Sequence, residues 1–130
     1  MFVDASVLVA ILTEEPGGQE LSHRLQHAEG LFTSPVAIFE TVSSVARKDR
    51  LPISTVASEV QMFLNEAKIE TRVIGPDVGH AAVAAYARYG KRQGHPARLN
   101  LGDCFAYAMA KQHRVPLLYK GDDFSQTDLA

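Results

Sequence analysis

The opening stretch MFVDASVLVAIL (residues 1–12) passes from two β-favouring residues, Phe2 and Val3, straight into an apolar run, with one acid, Asp4, at the junction. Phe2 and Val3 point to opposite faces of a short strand, and SVLVAIL reads as a helix ending near Glu14-Glu15-Pro16. A strand that hands over at once to a helix is the first half of an α/β unit. Asp4 therefore stands at the carboxyl end of a first strand, with two roles open to it. It is a preferred helix-capping residue, although Ser6 competes for that place, or it contributes to a site at the strand ends.

Working outward, the same alternation continues. GGQELSHRLQHAEG is helical, with Leu21, Leu25 and Ala28 on one face and Gly30 as its stop. LFTS (31–34) is a second strand, and Ser34-Pro35 supplies a cap and a first-turn proline for the helix 35–50. That helix is expected to turn Ile38, Phe39, Val42, Val45 and Ala46 to the core. TVASEVQMFLNEA (55–67) is a further amphipathic helix, IETRVI (69–74) a third strand, and Pro76 opens a long alanine-rich helix expected to reach residue 93. GHPARLN is a loop, residues 101–114 a helix, VPLLYK (115–120) a strand, and GDDFSQTDLA a polar end in which Asp128 reads as a tail residue. Helices alternating with short strands define an α/β sandwich, helices flanking a mainly parallel sheet of four or five strands.

Composition narrows the function. The chain has 130 residues, the size of one domain, and one domain over 1–130 is expected. There is no apolar run of the roughly 18 to 20 residues that a membrane span needs, and the N-terminus has no basic region followed by an apolar core, so no secretory leader is expected. The single cysteine, Cys104, fits a reducing, cytoplasmic setting. A net charge of −2 excludes a surface built wholly to hold nucleic acid, while leaving room for a local basic patch.

The acids carry the chemistry. In a parallel sheet, ligand sites form outside the carboxyl ends of the strands, where Asp4 and the pair Asp122-Asp123 both fall. Asp103 lies three residues after Asn100, the form of a capping box, and the helix dipole that favours an acid there also keeps it ionised, as a metal ligand must be. Glu40 points away from the Ile38/Val42/Val45 stripe, and helical geometry alone assigns it to a solvated face. Carboxylates without an accompanying His or Cys cluster suit a hard cation such as Mg2+ or Mn2+, which takes oxygen ligands, retains water and neutralises charge on a phosphodiester.

Other signals weigh less. His23 and His27 have the i, i+4 spacing of a helical zinc pair, but HRLQH lacks the glutamate of that motif and no third ligand is evident. Cys104, in an apolar helix without an activating partner, reads as a small buried hydrophobe. The most basic stretch, RYGKRQGHPAR, places Arg88, Lys91, Arg92 and Arg98 either on a solvated helix end or on a rim that grips RNA phosphates.

Three stretches together, FVDASVLVAIL, SPVAIFETVSSVAR and LNLGDCFAYAMAKQHRVPLLYKGDDFSQTDL, make the chain resemble the PIN-domain ribonucleases of the VapC toxin type over essentially its whole length. The resemblance implies a Mg2+- or Mn2+-dependent endoribonuclease acting on single-stranded or loop RNA. It also implies inhibition by a small VapB-type antitoxin, a homodimer, and a hetero-oligomer with the antitoxin. Matched by position, Asp4, Glu40, Asp103 and Asp123 are its four catalytic acids. Asp4 and Asp103 would be the principal metal ligands, with Glu40, Asp122 and Asp123 as secondary ones; Ser6 would help order the site. Glu40 enters the set through the resemblance, against the helical geometry. Two other readings stand beside it: a haloacid-dehalogenase-like phosphatase, disfavoured because Ser6 occupies the place of a second Asp, and a non-catalytic PIN-like binding or regulatory module.

Overall fold

The computed structural model describes residues 1–130. In chain order it contains β1 (Phe2–Val3), α1 (Ala5–Leu12), α2 (Gly18–Gln26), β2 (Phe32–Thr33), α3 (Pro35–Asp49), α4 (Ile53–Glu66), β3 (Glu70–Thr71), α5 (Pro76–Tyr89), α6 (Leu101–His113) and β4 (Leu117–Leu118). The strands form one parallel sheet in the order β3-β2-β1-β4, with Phe2 level with Phe32 and Leu117. Six helices flank four strands, the α/β architecture that the alternation implies.

The strands are shorter than the sequence suggests because helix caps interrupt them. Asp4 caps α1, accepting the Ser6 N–H, and Ser34 caps α3, accepting the Ala37 N–H at 3.1 Å with Pro35 in the first turn. IETRVI contributes only Glu70 and Thr71 to the ladder, both exposed at the sheet edge. Even two residues suffice to separate the layers, since neighbours on a strand face opposite ways. Phe2, Phe32 and Leu117 pack with α5 and α6, joined by Phe124 from the C-terminal segment. Val3 and Leu118 pack on the other side with α1 to α4. Between them, the buried Thr33 hydroxyl donates to the Val3 carbonyl at 2.9 Å, tying β2 to β1 through a side chain as well as the ladder.

Three sequence expectations are corrected. Helix α5 stops at Tyr89 rather than near residue 93: Gly90 is extended, and a side chain there would collide with the Tyr86 ring and carbonyl. The loop that follows is pinned by mutual backbone bonds, Leu99 N–H to the Tyr89 carbonyl at 2.8 Å and Lys91 N–H to the Leu99 carbonyl at 3.0 Å. In α3 the buried stripe is Ala37, Thr41 and Val45, so Phe39, expected in the core, lies roughly opposite and is 76% exposed. Finally, Asp128 is no free tail residue: it accepts the Tyr107 hydroxyl at 2.6 Å and pairs with Lys111 at 2.8 Å, fastening the C-terminal segment to α6.

Candidate active site

In the order β3-β2-β1-β4 the chain winds outward on one side of β1 and returns to the other, so the reversal falls between β1 and β4. A crevice outside the carboxyl ends of the strands is expected at such a reversal. It is present, with a volume of about 300 Å3, and Asp4, Glu40, Asp103 and Asp123 all line it, together with Ser6. The four acids come from four separate segments: the end of β1, the middle of α3, the first turn of α6, and the turn after β4.

Each is positioned by its local structure. Asp4 is buried, and its Oδ2 accepts both the Ser6 N–H at 3.1 Å and the Ser6 hydroxyl at 2.6 Å. The Ser6 oxygen in turn accepts the Lys120 N–H at 2.9 Å, which directs the hydroxyl proton toward Asp4 and couples it to the chain leaving β4. Asp103 closes a capping box: Asn100 Oδ1 accepts the Asp103 N–H at 2.9 Å, and Asp103 Oδ2 accepts the Asn100 N–H at 3.1 Å. Glu40 reaches the crevice for the reason that Phe39 leaves the core. With the buried stripe at Ala37, Thr41 and Val45, Glu40 and Ser44, one turn apart, flank it on the crevice side. Its carboxylate lies against α6 at Gly102, where a side-chain carbon would occupy the same space. Asp123 follows Gly121, whose φ of +99° turns the chain back toward the crevice.

The electrostatics show the cost of this convergence. Burial pushes the Asp4 carboxyl up, against the hydrogen bonds from Ser6 and Ala5, and the Asp123 charge adds to the rise. Burial, then the charges of Asp4 and Asp103, raises Glu40 to about 7. Asp103 also rises to about 7, through burial and the charges of Asp123 and Asp4, partly offset by the Asn100 N–H and Lys91. Mutually repelling acids of this kind are relieved by a divalent cation. No three His, Cys, Asp or Glu side chains are drawn together closely enough to enclose an ion alone. The donors on the lining are carboxylate oxygens, the chemistry of an ion that shares its coordination with water and substrate, as Mg2+ does.

Asp122, next to Asp123, does not line the crevice; its carbonyl instead accepts the Ser125 N–H and hydroxyl. The basic stretch also lies apart from the crevice lining. Arg88 stacks on the Tyr89 ring at 4.8 Å, Arg92 and Arg98 occupy left-handed positions in the 90–100 loop, and Lys91 borders an apolar groove with Val83, Tyr86 and Leu101. The cation that does line the crevice is Lys120, beside Glu15; neither was singled out from the sequence. The position of Lys120 in YKGDDF, three residues before Asp123, was the available signal. The exposed rings of His23, on α2, and His27, just past its end, lie 4.2 Å apart and tilted to each other, and burial raises the Cys104 thiol to about 11, as suits a core residue. A larger hollow of about 700 Å3, bordered by Leu25, Gly30, Leu31 and Lys68, lies by the segments entering β2 and β3 and gathers no comparable set of acids.

The PIN-domain family model matches residues 1–129 of this chain. The chain is 49% identical to VapC ribonuclease R02377 of Rhizobium meliloti, with 98% of each chain covered. It is 39% identical to ribonuclease VapC42 of Mycobacterium tuberculosis, over 99% of this chain and 96% of the relative. The chain thus belongs to the PIN-domain family, among the VapC ribonucleases. The fold agrees: it superposes on Mycobacterium tuberculosis VapC20, a sarcin-ricin loop cleaving toxin, with a TM-score of 0.74 at 14% identity over 95% of this chain and 92% of that one. A toxin–antitoxin complex from Klebsiella pneumoniae gives a TM-score of 0.71 at 20% identity, over 98% of this chain and 92% of the matched chain. No helix is long and apolar enough to cross a membrane.

Proposed function

We propose that this VapC-family ribonuclease is a divalent-metal-dependent endoribonuclease that hydrolyses single-stranded or loop RNA and is held in check by a VapB-type antitoxin. The observation that carries the reading is the meeting of Asp4, Glu40, Asp103 and Asp123, from four separate segments, in the crevice at the β1/β4 reversal. The antitoxin partner rests on the VapC relatives and on the toxin–antitoxin complex among the similar structures. A homodimer remains part of the same proposal by family resemblance.

Asp4 and Asp103 are the residues assigned to hold the ion, each steadied through one oxygen, Oδ2, by its hydrogen bonds to Ser6 and Asn100. Bound there, Mg2+ or Mn2+ would supply Lewis acidity to the phosphodiester and to the attacking water. Glu40, on the same lining, would orient that water or share a second ion. Asp123 adds a further carboxylate to the same lining. Ser6, held by the Lys120 N–H, keeps Asp4 in one orientation.

The test is cleavage of mixed-sequence single-stranded RNA with Mg2+ or Mn2+, alongside Asp4→Asn and Asp103→Asn. Loss of at least a hundredfold in both variants, together with loss of Mn2+ binding by calorimetry, is the expected result. Wild-type rates in either variant would overturn the assignment.

A further inference from the structure

A crevice lined by five carboxylates, Asp4, Glu15, Glu40, Asp103 and Asp123, repels the phosphate it has to receive, so an RNA-cutting site needs a cation that can meet the substrate there. The basic residues of the 88–98 stretch lie outside the crevice lining, whereas Lys120 belongs to it. We infer that Lys120, oriented by Glu15 and joined there by Lys48, is the phosphate-binding residue of this crevice and takes the backbone of the RNA strand. The inference rests on the ribonuclease reading and adds the subsite that holds its substrate.

Two independent bonds determine where Lys120 stands. Its backbone N–H donates to the Ser6 hydroxyl, which donates to Asp4, so the residue is in register with the first acid of the site. Its ammonium donates at 2.7 Å to Oε1 of Glu15, which lies on the same crevice lining. Glu15 Oε2 receives Lys48 Nζ at 3.1 Å, and Lys48 also donates to the Thr13 hydroxyl at 2.9 Å. Two ammonium groups on one carboxylate leave a positive charge in excess. Both remain within reach of solvent, with side chains 34% exposed for Lys120 and 46% for Lys48. Glu15 is thus a positioning residue, holding the partly exposed Lys120 ammonium on the crevice lining. A flexible lysine so restrained loses less side-chain freedom when a phosphate arrives.

The experiment uses a fluorescein-labelled single-stranded RNA of mixed sequence and the full chain carrying Asp4→Asn, which prevents cutting. Anisotropy is followed between 50 and 200 mM KCl without divalent ions, with Lys120→Met, Lys120→Arg or Glu15→Gln added. One phosphate contact on a single strand contributes about 0.7 to the slope of log affinity against log salt. Lys120→Met is expected to weaken binding about tenfold at the lowest salt and to reduce the slope by about that amount. Lys120→Arg, which keeps the charge, restores affinity to within about threefold, and Glu15→Gln keeps the slope while lowering kcat/KM about fivefold in the cutting background. Thermal melting accompanies each variant, and the arginine rescue separates a lost charge from a damaged fold. An unchanged slope in Lys120→Met, or an arginine variant as weak as the methionine one, overturns the subsite. If wild type cuts no RNA but Lys120→Met still loses the slope, the nuclease reading fails and the phosphate site is upheld. If wild type cuts and Lys120→Met keeps both slope and KM, the nuclease reading holds and the phosphate site falls.

Discussion

Gly102, in the first turn of α6, is packed against the carboxylate of Glu40 from α3, and any side chain at residue 102 would take the space that the carboxylate occupies. Glu40 is the end of a flexible side chain, so an alanine at 102 would displace it cheaply, and alanine in a helix is favoured over glycine by up to about 1 kcal/mol. Gly102→Ala is therefore expected to melt at the same temperature as wild type or slightly higher while cutting RNA at least tenfold more slowly. Differential scanning calorimetry beside a cleavage assay reads both; equal activity in the variant would remove Glu40 from the chemistry.

The acids also predict how stability responds to pH. Glu40 and Asp103 rise from roughly 4 in the unfolded chain to about 7 in the fold. For an acid with a raised folded value, the native state binds more protons than the unfolded one, so its stabilising contribution is full below about pH 4 and declines as pH rises toward 7. The metal-free melting temperature should accordingly fall across pH 4.5 to 7.5, and saturating Mg2+ should reverse the decline at the upper end. A melting temperature at pH 7.5 that ignores Mg2+ and Mn2+ would argue against an ion among these carboxylates.

The two neighbouring acids after β4 are separable. Asp123 lines the crevice and Asp122 does not. Asp123→Asn is expected to slow cleavage at least tenfold, and Asp122→Asn to leave it within about twofold, measured on the same RNA at saturating metal. Comparable losses in both would mean that the turn presents the two side chains interchangeably.

The C-terminal segment offers a stability test remote from the site. Tyr107 donates to Asp128 at 2.6 Å, and Tyr107→Phe removes that bond at a cost of about 1 kcal/mol. Lys111, then Tyr107, holds the Asp128 carboxyl below its ordinary range. A depressed acid stabilises above its unfolded value and loses the effect as pH falls through the folded one. The stability gap between wild type and Asp128→Asn, followed by urea denaturation, should therefore be largest near neutrality and close on acidification below about pH 4.

How much could be read before the chain was folded varies residue by residue. Ser34-Pro35, Asn100 with Asp103, and the alternation of helices with short strands rest on local chemistry, which acts over three or four neighbours and needs no tertiary context. They sufficed for the α/β class and placed Asp4 and the Asp122-Asp123 pair at strand ends. Glu40 was different. Its place depends on which stripe of α3 is buried, and that was decided by Ala37 and Thr41 packing under neighbouring elements, not by the larger Ile38 and Phe39. Likewise Glu15 and Lys120, 105 positions apart in sequence, meet only because β1 and β4 lie side by side. By itself, then, the sequence determined the alternation of helices and strands, the α/β class and the inventory of acids, because propensity and capping are short-range. Which acid faces the crevice, which cation joins it, and that a glycine on α6 makes room for a glutamate on α3 were decided only by the tertiary structure, because packing alone chooses among the faces of a helix.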